Sequence, residues 1–267
     1  MALQAPRNTL IAVGRRVLGG RQLNHLVRFD PILELIDVRG RTEPRTLLDV
    51  GSGSLGIISL LPDGWAATTL DANFEDYGAT RRGPLRADQV LGDVRALPFE
   101  DAAFDVVVAI DLLEHLPPND RARAVGEICR VARTRAVIAC PAGTEALETD
   151  RRLATRLRSR GRPVPGWLEE HLANGFPAPD EVVAAAEPFG TVRLFGNENV
   201  GAHERLILAE LSVVPAAVLR LVCRPLEQLM ASRRSKARRL ASRVLDGVRA
   251  RDQPPTYRAI VAVDRLA

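Results

Sequence analysis

Short apolar runs alternate with amphipathic stretches along the first two thirds of the chain. Five runs, rich in β-branched and aliphatic residues, predict buried strands: 45–50, 65–70, 89–91, 104–110 and 135–140. Between the last two, residues 120–132 place Ala, Val, Ile and Cys side chains at helical spacing, which predicts a helix. Strands that alternate with helices are typical of a doubly wound parallel α/β sheet.

The later part of the chain is more helical. Residues 151–160 form a predicted basic helix, and another is expected to begin at Asp180, a good N-cap residue. A strand over 191–195, helices over 206–221 and 226–248, and a last strand over 257–263 follow. We therefore predict a single domain in four parts: N-terminal helices (1–43), a cofactor-binding core (44–198), a helical insertion (199–253) and a closing strand (254–267).

The segment RTLLDVGSGSLG, residues 45–56, joins the first strand to a turn of small residues. Asp49 lies at the end of the strand, and Gly51, Ser52 and Gly53 follow. Small residues let the backbone approach a ligand closely, and glycine tolerates a positive φ. Apolar residues over 57–61 predict a helix whose N-terminus faces the same ligand. The segment predicts a nucleotide-cofactor site.

Acidic residues follow the next strands at the same predicted edge of the sheet. Asp71, before Ala72, comes about 20 residues after the first glycine, where a carboxylate can accept from both ribose hydroxyls. Asp93 lies on the loop after the third strand, where it can accept from an adenine amino group. The fourth strand ends at Asp111, and the sequence Leu-Leu-Glu-His follows.

Composition indicates the cellular compartment in which the protein is expected. The chain has 267 residues and a net charge of +4, and its three cysteines fit neither a disulfide framework nor a zinc site. It lacks both an apolar run of about 18 residues, as a membrane span needs, and a signal-peptide core. We expect a soluble protein of a reducing cytoplasm.

Taken in order, these motifs resemble those of class I S-adenosylmethionine-dependent methyltransferases of the small-molecule type. The residues that carry the resemblance are Asp49-Val50-Gly51-Ser52-Gly53, Asp71, Gly92-Asp93-Val94 and Asp111-Leu112-Leu113-Glu114-His115-Leu116. Leu55 replaces the family's usual third glycine. The resemblance implies a Rossmann-like, seven-stranded sheet, mostly parallel with an antiparallel last strand, and S-adenosylmethionine as cofactor.

The resemblance also implies roles for individual residues. Asp49 would orient the methionine amino group, Gly51 and Gly53 would allow close approach, and Asp71 would hold the ribose. The other implied cofactor-binding residues are Ser52 and Ala72 beside them, Asp93 at the adenine amino group, Val94 against the ring, and Asp111 and Leu112 at the methionine end.

Histidine is suited to act as a base toward an acceptor hydroxyl near neutral pH. His115, next to the predicted methyl-donor site, is the first candidate, and packing in the turn is its structural alternative. His171 could reach the site from the segment 167–172. His203 is expected to be structural, and no constellation of metal ligands is evident in the sequence.

The acceptor class follows from what the chain lacks. An Asn-Pro-Pro-Tyr type motif, expected for methylation of nucleobase or glutamine amino groups, is absent. We therefore expect a small-molecule, glycan or lipid-linked acceptor and O-methylation. The Arg-rich helix near 233–251 is a solvated face, a contact with an anionic membrane surface, or a nucleic-acid contact. A 4% aromatic content counts against nucleic acid.

Two other functional classes stay open at this point. Gly51, Gly53 and Gly56 also satisfy the GxGxxG pattern of a nicotinamide-binding oxidoreductase. Such an enzyme would lack a catalytic Tyr-x-x-x-Lys pair here, since Lys236 is the only lysine. The second alternative is a non-catalytic cofactor-binding module, against which the set of Asp49, Asp71 and Asp93 argues.

Overall fold

The structure is a computed structural model and describes residues 23–36, 45–53, 56–61, 64–74, 87–232, 235–249 and 253–265. Its strands are β1 (Arg45–Val50), β2 (Trp65–Asp71), β3 (Ala87–Leu91), β4 (Phe104–Ile110), β5 (Ala132–Pro141), β6 (Gly190–Asn199) and β7 (Thr256–Arg265). Its α-helices are α1 (Leu23–Leu35), α2 (Pro118–Val131), α3 (Thr144–Ser159), α4 (Gly166–Asn174), α5 (Pro179–Ala186), α6 (Val200–Glu210), α7 (Val213–Met230) and α8 (Ser235–Val248).

The seven strands form one sheet in the order β3-β2-β1-β4-β5-β7-β6. β7 runs antiparallel to both of its neighbours, and the pairs among β1 to β5 are parallel. This is the predicted fold class. The strand order reverses between β1 and β4, and in open α/β sheets ligands bind in the crevice at the carboxyl ends of the strands flanking such a point.

Both faces of the sheet are covered, because its central strands are apolar on both sides. Leu47 packs with α1, α7 and α8 on one face, whereas the next residue, Leu48, packs with α2 and α5 on the other. A third, smaller cluster joins α3, α4 and α6. At the end of α4, the Asn174 side chain donates to the Glu114 carbonyl, so α4 also contacts the turn after β4.

The helix predicted after the glycine turn is wrong in type and length. Residues Ile57–Leu60 form a four-residue 3-10 helix, closed by the Leu61 N–H donating to the Ile58 carbonyl at 3.0 Å. Leu61 is extended, with ψ 141°. It precedes Pro62, and proline disfavours the α conformation in the residue before it. A helix of one turn cannot supply the N-terminal dipole that the sequence suggested.

Other helix boundaries also differ from prediction. Residues 200–248 contain α6, α7 and α8 where two helices were expected, and α7 passes through Pro225. A break over 211–212 separates α6 from α7. The helix expected to begin at Asp180 begins at Pro179 with Ala178 as its N-cap, because proline is favoured at the first helical position. The proposed four-part division of the domain stays a prediction.

Residues 1–22 and 37–44, which carry much of the predicted N-terminal helical part, lie outside the described residues. None of the described helices combines the length and the apolar character needed to cross a bilayer. Cys129, Cys140 and Cys223 are buried.

Candidate active site

The glycine turn is built against the end of β4. Gly51 has a φ of +71°, and its N–H donates to the Leu70 carbonyl at 2.7 Å. A Cβ on Gly51 would lie 2.8 Å from Cδ1 of Leu112, closer than real contacts allow. Gly53 also has a positive φ, +54°. The turn therefore needs glycine for both conformation and space at Gly51, which lies against Leu112. That both residues bind the cofactor stays a prediction.

Asp71 connects β2 to this turn. Its Oδ2 accepts from the Gly53 N–H at 2.8 Å and its Oδ1 from the Asn73 N–H at 3.0 Å. The Gly92 N–H donates to the Asp71 carbonyl at 3.1 Å, so the loop that carries Asp93 and the buried Val94 begins beside it. Each carboxylate oxygen keeps a further lone pair for a ligand hydroxyl. The role of Asp71 at the ribose stays a prediction that this geometry permits.

The Asp49 carboxylate stabilises the residues that follow the glycine turn. It is buried, and its Oδ2 accepts from the Ile57 N–H at 2.8 Å. A Cβ on Gly56 would lie 2.2 Å from the same oxygen, which explains the glycine there. Ser52, next to Gly51, donates through Oγ to the Gly53 carbonyl at 3.2 Å. Direct contact of Asp49 with a methionine amino group stays a prediction.

Asp93 is exposed and pairs with Arg95. Both of its oxygens accept from the Arg95 guanidinium, at 2.6–3.0 Å, and Arg95 also pairs with Asp120 at 2.9 Å. The hydrogen bonds from Arg95 lower the pKa of Asp93. The predicted acceptance from an adenine amino group would use the lone pairs that Arg95 leaves.

Asp111 follows β4 with a φ of +51°, unusual outside glycine. Its N–H donates to the Ala139 carbonyl at 2.8 Å, which holds this backbone conformation. Arg258 of β7 donates to both carboxylate oxygens, and Arg28 of α1 pairs with Oδ2. Burial would raise the pKa of Asp111, but Arg258 and Arg28 together hold it well below its usual range.

The two predicted histidines lie together. The ring centroids of His115 and His171 are 5.3 Å apart. His115 also pairs with Glu170, which lies 55 positions away on α4, the helix that carries His171. Nδ1 of His115 lies 2.7 Å from Glu170 Oε2, and Nδ1 of His171 lies 2.8 Å from Asp150 Oδ2. Burial lowers the pKa of His115, and the Glu170 hydrogen bond opposes that shift.

Arg121 of α2 fixes the turn that presents His115. Its guanidinium donates to the Leu113 carbonyl at 3.0 Å and, from the other side, to the Gly175 carbonyl at 2.7 Å. The Asn174 amide donates to the Glu114 carbonyl at 3.3 Å. These bonds explain why α4 lies against residues 113–115. The remaining predicted structural histidine, His203, is buried and bonded to Glu198.

Glu114 is a residue of this turn for which no role is predicted from the sequence. Its side chain is fully buried, and neither carboxylate oxygen has a hydrogen-bond partner in the described part of the chain. Burial, with a further contribution from Asp111, raises the pKa of Glu114 well above its usual value. One ligand atom each from Glu114, His115 and His171 lies within 4.8 Å of the others. This group spans two segments, so no local spacing in the sequence could show it.

The fold and this edge of the sheet define a class: an open α/β protein with a glycine cradle, the turn Gly51–Gly53, at the point where the strand order reverses. Residues 48–140 match the family model described as a methyltransferase domain. This segment is a class I methyltransferase domain, whose cofactor is S-adenosylmethionine.

Two curated relatives are similar to parts of the chain. A rice protein (Oryza sativa subsp. japonica) named "Probable tocopherol O-methyltransferase, chloroplastic" is 32% identical over 98 residues, which are 34% of this chain and 26% of the relative. The ajmaline N-methyltransferase of Rauvolfia serpentina is 26% identical over 186 residues, which are 62% of this chain and 60% of the relative. The chain thus spans less than two thirds of either.

Among solved structures, phosphoethanolamine N-methyltransferase 2 of Haemonchus contortus, in complex with S-adenosyl-L-methionine, shares the fold. Its TM-score is 0.53 at 12% identity, over 96% of this chain and 57% of that one.

Proposed function

We propose that this chain transfers a methyl group from S-adenosylmethionine to a hydroxyl of a small-molecule, glycan or lipid-linked acceptor. The observation that carries the proposal is the position of His115. Its N–H donates to the Leu112 carbonyl at 3.1 Å, and Leu112 packs on Gly51 of the cofactor cradle. A histidine with a carboxylate partner thus lies one turn from the residues that would hold the methyl donor.

The cradle fits this cofactor. Glycine at position 51 lets the turn lie against Leu112, where a Cβ would clash, and Asp71 offers carboxylate lone pairs at the end of β2. Val94 and Leu112 supply apolar walls. When bound, the cofactor supplies a methyl group activated by a positively charged sulfur.

His115 would act as the base. Because burial lowers its pKa, the imidazole is neutral near physiological pH and can accept a proton. The Glu170 carboxylate at Nδ1 fixes the tautomer that leaves Nε2 as the acceptor, and it stabilises the imidazolium that forms. His171, held by Asp150, packs against the same ring and is the second candidate.

This arrangement favours O-methylation, as the sequence led us to expect. A hydroxyl gains nucleophilicity when a base removes its proton, whereas a neutral amine attacks with a lone pair it already has. The names of the two curated relatives include both an O- and an N-methyltransferase.

Calorimetric titration of the purified chain with S-adenosylhomocysteine, and with NAD in parallel, tests the cofactor. Micromolar binding of S-adenosylhomocysteine alone supports the proposal, and binding of NAD alone overturns it in favour of an oxidoreductase. Incubation with methyl-labelled S-adenosylmethionine and panels of phenols, sugars and amines then tests the acceptor. Label transferred only to amines would contradict O-methylation, and cofactor binding without turnover on any panel would favour a non-catalytic module.

We also propose that α7 and α8 contact an anionic membrane surface, where a lipid-linked acceptor would be found. These two neighbouring helices expose large apolar side chains, among them Leu221 (72% exposed), Val218 (56%) and Leu240 (53%). They also expose Arg224, Lys236, Arg239 and Arg243. Apolar and cationic side chains on one helical pair suit an interface with anionic lipid.

Co-sedimentation with vesicles of phosphatidylglycerol or phosphatidylcholine tests this surface. We expect binding to the anionic vesicles only, weakened by Leu221→Gln. Leu194→Gln, at a leucine exposed on β6, is the matched control. Equal binding to both vesicle types, or by both variants, would overturn the membrane proposal. Retention on an oligonucleotide column without vesicle binding would favour nucleic acid instead.

A further inference from the structure

Three side chains with metal-binding atoms converge where the turn after β4 meets α4. Glu114 and His115 come from the 3-10 turn Leu113–His115, and His171 comes from α4. One ligand atom from each lies within 4.8 Å of the other two. A cation placed among them could contact all three after small side-chain movements. Proximity alone is weak support, so the state of each side chain matters.

Glu114 provides the second observation. Its side chain is fully buried, and both carboxylate oxygens lack a hydrogen-bond partner among the described residues. Burial of an unpaired carboxyl group is costly, and native structures almost always satisfy such groups. Asp111, nearby, is already paired with Arg258 and Arg28, so Glu114 is the carboxylate left for a cation.

Each of the two histidines has the hydrogen bond to a carboxylate that is common in metal-binding histidines. His115 is bonded through Nδ1 to Glu170, and His171 through Nδ1 to Asp150. Tyr257 in turn donates to Asp150 at 3.0 Å. Metal-binding histidines commonly donate one ring N–H to a carboxylate, which orients the ring and leaves the other nitrogen for the metal. Both rings here leave Nε2.

We propose that Glu114, His115 and His171 bind a divalent transition-metal ion. Two imidazoles and one carboxylate suit Zn²⁺, Mn²⁺ or Fe²⁺, whereas Mg²⁺ and Ca²⁺ prefer oxygen ligands. Three protein ligands leave coordination positions open, as in catalytic sites.

The role of the metal rests on the proposed function: its open coordination positions would bind the acceptor hydroxyl. A bound cation lowers the pKa of a coordinated hydroxyl, so the acceptor oxygen releases its proton to solvent more readily. That oxygen then forms the new carbon–oxygen bond with its lone pair. The methyl carbon gives up its bond to the donor sulfur, which keeps the electron pair. With the metal bound, His115 is a ligand and the metal promotes loss of the hydroxyl proton; in the metal-free chain Nε2 of His115 is the proposed base.

The test is metal binding by the full chain after treatment with a chelator. We expect titration calorimetry with Mn²⁺ and with Zn²⁺ to show one site, and the Mn²⁺ electron paramagnetic resonance signal to change on binding. Glu114→Gln keeps the side-chain shape and removes the charge, and His171→Gln removes an imidazole. Each should weaken binding by about tenfold or more. Glu169→Gln, at an exposed position beside Glu170, is the control that should bind as wild type does.

Titration with S-adenosylhomocysteine shows whether each variant is folded and separates the two proposals. Cofactor binding without stoichiometric metal binding would overturn the metal site and leave the proposed function intact. Metal binding without cofactor binding would overturn the proposed function alone. Equal metal affinity in wild type, Glu114→Gln and His171→Gln would show that any bound metal lies elsewhere and would also overturn the site.

Discussion

Arg258 donates hydrogen bonds to both carboxylate oxygens of Asp111, at 2.8 and 3.0 Å, across 147 positions of sequence. Arg258 also donates to the buried Glu198 at 2.8 Å. The pairing ties the antiparallel strand β7 to the turn after β4, where Asp111 holds a positive φ. The last strand of the fold therefore fixes the backbone from which Glu114 and His115 project.

Arg258→Met should destabilise the fold strongly. Removing one partner of a buried ion pair leaves the other charge uncompensated, at a cost of about 3–5 kcal/mol. Arg193→Met is the control, since Arg193 pairs with Asp264 at an exposed edge and should contribute about 1 kcal/mol or less. Urea unfolding measures both, and similar losses in the two variants would contradict the structural role of Arg258.

Asp71→Ala should weaken binding of S-adenosylhomocysteine about 10- to 100-fold, the equivalent of losing charge-assisted hydrogen bonds worth ~1.5–3 kcal/mol. The carboxylate both fixes the Gly53 N–H and faces the predicted ribose. Asp88→Ala, at an exposed aspartate of the adjacent strand β3, is the matched control. Equal affinity of wild type and Asp71→Ala in calorimetry would refute the ribose assignment.

Gly51→Ala should cost more stability than an alanine at another left-handed glycine. Both Gly51 and Gly161 have positive φ, +71° and +61°, but only at Gly51 would the new Cβ meet a side chain, Leu112 at 2.8 Å. We expect about 1–2 kcal/mol for Gly161→Ala from the backbone, and about 1–3 kcal/mol more for Gly51→Ala from the clash.

The double variant Gly51→Ala/Leu112→Ala separates these contributions. Removal of the Leu112 side chain should relieve the clash, so the two substitutions should cost less together than the sum of their separate costs. Additive costs in thermal or urea unfolding would show that Leu112 does not limit the space at Gly51.

His115→Ala should leave binding of S-adenosylhomocysteine unchanged and reduce turnover by about 10²- to 10⁴-fold. The reason is that His115 lies outside the glycine turn, three residues beyond Leu112, and is proposed to act on the acceptor rather than on the cofactor. Glu170→Gln, which weakens the support at Nδ1, should lower kcat less, with Glu169→Gln as the neighbouring control. Loss of cofactor binding in His115→Ala would place the histidine in the cofactor site instead.

Stability should fall as the pH rises toward neutrality because of Glu210. Burial raises the pKa of Glu210 to about 7, although it accepts a hydrogen bond from the Asn24 N–H at 3.0 Å. Its folded-state pKa thus lies above the unfolded value of 4.5. The stability it contributes is fully present below about pH 4.5 and is lost as pH rises through about 7.

Glu210→Gln removes this dependence. The free energy of unfolding of the variant relative to wild type should increase between about pH 5 and 8, by at most on the order of 3 kcal/mol, and then level off. Urea unfolding across this range measures the difference. A difference that is constant with pH would contradict the raised pKa of Glu210.

Local pattern and residue identity are enough to predict the central strands, the glycine turn and the acids at the strand ends. These features are local: apolar β-branched runs bury themselves on both faces of a sheet, and a turn that needs positive φ at Gly51 needs glycine whatever surrounds it. Asp71 and Leu112 could be assigned to the same site because the carboxyl ends of parallel strands share one edge. The same argument predicts His115, whereas His171 is a candidate only because the segment 167–172 could reach the site.

Which distant groups meet depends on how the helices pack against one another and against the sheet. The contact between His115 and His171 depends on α4 packing against residues 113–115, which Arg121 fixes through backbone carbonyls. The burial of Glu114 with no partner among the described residues, and the pairing of Asp111 with Arg28 and Arg258, come from elements far apart in sequence. Hydrophobic pattern fixes which face of an element is buried, but not which charged groups its packing brings into contact.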